Sequence, residues 1–120
     1  MQAVIRVACL ALAALAISCS AGSGNCTDIA EAGLTVYVLD QTTGAPICNA
    51  TVTATDGTYT ETLQQTSPAS GCYYAGAYER AGTYDVTVAA PGYATSSQSG
   101  IVVPSGVCHV QGQTLNFNMQ

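Results

Sequence analysis

The sequence contains no lysine, no tryptophan, one phenylalanine and one histidine. Charged residues make up 8% of its 120 positions, and two bases, Arg6 and Arg80, face seven acids for a formal charge of −5. A chain this poor in cations does not neutralise a row of phosphates, so nucleic acid is excluded as a partner. It has no basic cluster to hold an anionic lipid surface either. No apolar run reaches the about 20 residues that a helix needs to cross a bilayer. The length leaves room for one domain. What is abundant is Thr, Ser, Gly, Tyr and Val, the composition of a folded chain rich in β-strands rather than of a disordered one.

The first residues read as an address. One positive charge, Arg6, precedes the apolar run Val7 to Ile17, whose length suits the core of a secretory signal. A signal peptide is predicted over residues 1–18. The text that closes it, Leu15-Ala16-Ile17-Ser18-Cys19, resembles a bacterial lipobox, although the commonest form has Leu where Ala16 stands. The resemblance implies cleavage before Cys19, a diacylglyceryl group on its thiol and an acyl group on its new amine. Residues 19–31 would then be the lipidated Cys and a flexible tether, with the small polar run Ser20 to Asn25 giving the flexibility. Ser20 stands where an Asp would retain such proteins at the inner membrane, so the reading favours the outer membrane of a bacterial cell envelope. The alternative is ordinary cleavage near Ala21 and release as a secreted protein. Without Arg6, the mature charge is about −6, one base against seven acids.

Six Cys are encoded, of which Cys9 and Cys19 belong to the leader and its cleavage site. Cys26, Cys48, Cys72 and Cys108 remain, an even number in an exported chain, which predicts two disulfides. None of the four lie at the short spacings of a structural zinc site, so no metal is expected.

Downstream, apolar residues recur with period two. Leu34, Val36 and Val38 share one face of a first strand, and Asp40 to Pro46 follows as a turn. Ala50 to Thr55 alternates small apolar residues with Thr, and Asp56-Gly57 signals a hairpin into a strand over Thr58 to Gln64. Gln65 to Gly71 reads as a loop and Cys72 to Glu79 as a strand with Tyr on both faces. Thr83 to Ala90 is the cleanest strand, with Tyr84, Val86, Val88 and Ala90 inward. Thr95 to Val103 is a weaker one, and the last places Leu115, Phe117 and Met119 on one face. The prediction is an all-β, antiparallel β-sandwich of about seven strands. The hairpin brings Cys48 and Cys72 to its open end, so these should pair, leaving Cys26 with Cys108.

The order of these elements resembles the carboxypeptidase regulatory-like family, whose fold is a transthyretin-like sandwich. The resemblance rests on Val36-Tyr37-Val38-Leu39-Asp40, Thr43-Gly44-Ala45-Pro46-Ile47, Ala50 to Ala54 and Asp56-Gly57. It continues through Ala81-Gly82-Thr83-Tyr84-Asp85-Val86-Thr87-Val88 and Ala90-Pro91-Gly92-Tyr93 to the closing strand, and so spans residues 32–120. It implies a fold and an envelope location more than an activity. The zinc peptidase that such domains accompany needs two His and a Glu, and His109 is the only His. The hydrolase branch of the transthyretin fold needs several His and a Tyr-Arg-Gly-Ser ending, whereas this chain ends Asn118-Met119-Gln120.

No Ser stands in a nucleophile elbow, and His109 reads as structural or exposed. No catalytic residue and no cofactor is expected. The best binding candidates are Tyr73, Tyr74 and Tyr78, crowded on one strand around Gly76. Exposed Tyr on a rigid sheet can stack on sugars or anchor a protein; the plainer reading is packing beside Thr across the sheet. The sequence thus supports a non-enzymatic envelope lipoprotein domain with a structural or protein-interaction role, held to the membrane by its lipid and facing an envelope protein or a polysaccharide. The alternative is a carbohydrate-binding module using the Tyr-rich strand.

Overall fold

The computed structural model describes residues 26–120, so the signal peptide, the cleavage site at Cys19 and the Ser20 to Asn25 run lie outside the described residues. The fold is all-β and sandwiches two four-stranded sheets. The strands are β1 (Leu34–Asp40), β2 (Thr51–Asp56), β3 (Tyr59–Thr62), β4 (Gln64–Thr66), β5 (Tyr73–Gly76), β6 (Gly82–Ala89), β7 (Ser96–Val103) and β8 (Gln113–Met119). The first sheet has the order β4-β5-β1-β8 and the second β3-β2-β6-β7. Period-two alternation fills the space between them. Leu34, Val36 and Val38 of β1 meet Val52 and Ala54 of β2, Tyr84, Val86 and Val88 of β6, and Leu115, Phe117 and Met119 of β8 in one core.

Two features differ from the sequence expectation. The strand predicted over Thr58 to Gln64 is two strands in different sheets, which raises the count from about seven to eight. The break falls at Leu63, whose side chain is buried while its N–H bonds Val52 O at 2.8 Å. The chain changes sheet at that corner, and Gln65 and Thr66, expected to open a loop, continue from Gln64 as β4 and pair with β5 instead. The second difference is direction. Every other pairing is antiparallel, but β1 and β8 run parallel, from Leu34 opposite Gln113 to Asp40 opposite Met119. The reason lies in the connection. β7 ends at the edge where β1 begins, and the 104–112 loop returns at that same end, so β8 starts beside the start of β1.

The hairpin turn also shifts by one residue. Asp56 pairs with Tyr59, so the turn is Gly57-Thr58, and Gly57 alone takes positive φ (63°), which suits a II′ turn.

Both disulfides join the predicted partners. Cys48 and Cys72 are 5.7 Å apart at Cα, and Cys26 and Cys108 are 5.2 Å apart. The second bond corrects the expected tether of residues 19–31: its described part, 26–31, is fastened to the sandwich. Thr27 Oγ1 lies 3.0 Å from His109 Nε2, the Glu31 N–H donates to Glu79 Oε2 at 2.9 Å, and Gly33 N–H reaches the Gly76 and Ala77 carbonyls. His109 Nδ1 also contacts the Glu79 carboxylate, so this imidazole closes a clasp between the arm, the 77–80 turn and the 104–112 loop.

Candidate functional site

The seven tyrosines sort by what their hydroxyls do. A buried Tyr normally finds a hydrogen-bond partner for its hydroxyl, whereas a Tyr that presents its tip outward can leave it to solvent or ligand. Tyr74 is buried at 2% exposure, donates to Ile47 O at 2.8 Å and accepts from Ala50 N–H at 3.0 Å. The ring of Tyr84 is fully buried and its hydroxyl bonds back to Arg80 O at 2.8 Å, a tyrosine corner. Tyr59 donates to Glu61 and Tyr93 to Asp40, both at 2.6 Å. Among the described residues, Tyr37, Tyr73 and Tyr78 form no such bond.

This sorting corrects the Tyr73, Tyr74 and Tyr78 set. Tyr74 belongs to the core, because it stands opposite the buried Val36 in the β1–β5 register. Tyr78 is exposed, but β5 ends at Gly76, so Tyr78 lies on the following turn at the other end of the sheet face from Tyr73. Tyr73 remains, half-buried on the outer face. Its neighbour is Tyr37, which the strand pattern places opposite to Leu34, Val36 and Val38. The two ring centroids are 5.5 Å apart with planes inclined at 42°. The sequence carried a signal for Tyr37: an aromatic residue on the polar side of a strand has no core to fill.

The pair opens onto a groove of about 250 Å³. Leu39 and Cys72 line it together with Gly44 and Pro46 from one loop and Pro68 and Gly71 from the next. Its walls are stiff. Asp40 Oδ1 accepts the Thr42 and Thr43 N–H groups at 2.8 Å each, which fixes the first loop, and Gly44 supplies the positive φ (76°). The Cys48–Cys72 disulfide fixes the second. The Tyr93 hydroxyl and then the Thr43 N–H hold the Asp40 carboxyl below its ordinary range, while the same hydrogen bond pushes the Tyr93 phenol up.

Around the pair, the outward positions of this sheet carry no charge: Thr35 and Leu39 on β1, Ala75 on β5, Gln64 and Thr66 on β4, Thr114, Asn116 and Asn118 on β8. Asn116 stands directly beside Tyr37 and its side chain is exposed. Arg80, the single base of the described residues, is engaged elsewhere. It pairs with Asp56 at 3.1 Å, donates to the Tyr84 hydroxyl at 3.0 Å and lies 3.7 Å over the Tyr59 ring.

The described residues contain no group of three metal-ligating side chains. The arrangement offers stacking and neutral hydrogen bonding. The carboxypeptidase regulatory-like domain family matches residues 33–120. No curated protein is similar enough to the chain to match it.

Proposed function

The chain belongs to the carboxypeptidase regulatory-like domain family, a non-catalytic type of domain, and from that premise we propose that it is a cell-envelope lipoprotein with a structural or protein-interaction role. The observation that carries this reading is the way the domain begins. Cys26 is cross-linked to Cys108 and the arm behind it is clasped by Glu79 and His109. Acylation at Cys19 would leave only the stretch from Cys19 to Cys26 free. Seven residues reach at most about 25 Å when fully extended. The sandwich would then stand close to the lipid with its 104–112 loop and 77–80 turn turned toward it, presenting the opposite end and both sheet faces to partners. An anchor at Cys19 and a rigid domain without a catalytic constellation suit display or spacing in the envelope. Ser20, standing where an Asp would retain such a lipoprotein at the inner membrane, favours the outer membrane for this reading.

Mass spectrometry of the mature N-terminus tests the anchor. A diacylated or triacylated Cys19 is the expected result, and Cys19→Ala should move the protein from the membrane fraction to the soluble one. An unmodified N-terminus at Gly22 would replace the anchor with secretion.

A further inference from the structure

We infer that the outer face of the β4-β5-β1-β8 sheet, centred on Tyr37 and Tyr73, binds a neutral glycan. The inference sharpens the carbohydrate-binding reading, moves it to a different set of residues, and stands whether or not Cys19 is acylated. Four observations meet on this face.

The first is chemical. A pyranose ring has an apolar side of C–H groups and a rim of hydroxyls that both donate and accept. Tyr37 and Tyr73 supply the aromatic surface, adjacent rings with planes inclined at 42°. Asn116, Thr114, Thr35 and Gln64 supply amides and hydroxyls that likewise donate and accept. The second is hydrogen bonding. Tyr59, Tyr74, Tyr84 and Tyr93 have hydroxyls consumed by the fold. Those of Tyr37 and Tyr73 are not so consumed among the described residues, which leaves them for a ligand.

The third is charge. In a domain with seven acids, no outward position of these four strands is charged. The one base is held by Asp56 and Tyr59 away from this face. An anionic polysaccharide would find no countercharge here and would meet the repulsion of the whole acidic domain. A neutral one meets neither cost. The fourth is rigidity. The groove beside the pair holds about 250 Å³, enough for one sugar ring, and its loops are fixed by the Asp40 turn and the Cys48–Cys72 bond. Little order is lost when a ligand enters a site already formed.

The test uses the full chain in native gels cast with a neutral polysaccharide (a β-glucan, a mannan or a xylan), with polygalacturonate, or with none, and a solution titration with a proline-rich peptide. Retardation by at least one neutral polysaccharide and none by polygalacturonate is expected. Tyr37→Leu and Tyr73→Leu keep an apolar side chain in place and should each weaken binding about tenfold, the scale of one lost aromatic contact. Asn116→Ala should weaken it severalfold and, being a change at an exposed side chain, carries the test if either Leu variant fails to fold. Tyr78→Leu should bind like the parent. No retardation by any neutral polysaccharide overturns the inference. So does an equal loss in Tyr78→Leu, or binding of the peptide alone through Tyr37 and Tyr73.

Discussion

Replacing Tyr74 with Phe separates a core role from a binding role at this residue by magnitude. The ring would stay in its cavity, so packing is conserved, and only the hydroxyl leaves. That hydroxyl serves two backbone groups, Ile47 O and Ala50 N–H, on the segment that connects β1 to β2. Each hydrogen bond contributes about 1 kcal/mol net, and a buried polar group left without a partner costs about 1–3 kcal/mol. With two groups affected, one of them only partly buried, the loss should be about 2–3 kcal/mol. For a domain of this size that lowers the melting temperature by roughly 10–20 °C. Tyr73→Phe is the control: its hydroxyl has no partner among the described residues, and its effect should stay within about 0.5 kcal/mol. Urea unfolding of both variants, followed by circular dichroism, gives the comparison. A Tyr74→Phe variant as stable as Tyr73→Phe would refute the assignment of Tyr74 to the core. The same segment is also fastened through Cys48 to Cys72, two residues before Tyr74. Opening that disulfide and removing the hydroxyl should therefore be non-additive, since both release residues 47–50.

The two disulfides close loops with sequence separations of 24 and 82, for which chain entropy alone gives about 3.5 and about 4.5 kcal/mol. Replacing each pair by Ser should lower stability in that order, and urea midpoints that place the Cys48–Cys72 loss above the Cys26–Cys108 loss would contradict the loop argument. Arg80→Met removes an ion pair, a hydrogen bond to Tyr84 and the contact over Tyr59, so it should lower the urea midpoint modestly, and a loss that vanishes in molar salt would show that the ring contact contributes nothing. Asp40 and Glu79 both bind protons more weakly in the folded chain, Asp40 through Tyr93 and the turn N–H groups, Glu79 through the Glu31 N–H and His109. Their contribution is complete above the ordinary carboxylate range near pH 4 and is lost as pH falls through the lowered folded values. Stability measured from pH 7 downward should drop in that acid window, and Asp40→Asn with Glu79→Gln should flatten the drop.

The strands were legible because alternation is a local signal: Leu34, Val36 and Val38, then Tyr84, Val86 and Val88, then Leu115, Phe117 and Met119 announce their buried faces without reference to any partner. The disulfides were legible through one hairpin and parity of the remaining Cys. Strand direction was not, since a period of two reads the same either way. β8 runs parallel to β1 because the 104–112 loop, tied by Cys108, delivers it to that end, and this is a fact about the whole chain. The break at Leu63 was hidden for a related reason. Leu63 faces the core in either sheet, so its hydrophobicity fits one strand or two.

The tyrosines show where sequence reasoning stopped and what would have carried it further. Tyr73 and Tyr74 are consecutive on a strand, so they face opposite ways, and one of them had to be inside. Alternation cannot say which, because the strand has too few apolar residues to set its own phase. The phase comes from Val36, which stands opposite Tyr74 and is fully buried. Tyr73 is thereby turned outward beside Tyr37, and a pair forms from residues far apart in sequence. A Tyr buried by its neighbours gives its hydroxyl to the fold, as Tyr74 does to Ile47 and Ala50. A Tyr held on a solvent-facing sheet without such a partner stabilises the fold less than it could, and on Tyr37 and Tyr73 that unused hydrogen-bonding capacity coincides with the uncharged face and its stiff groove.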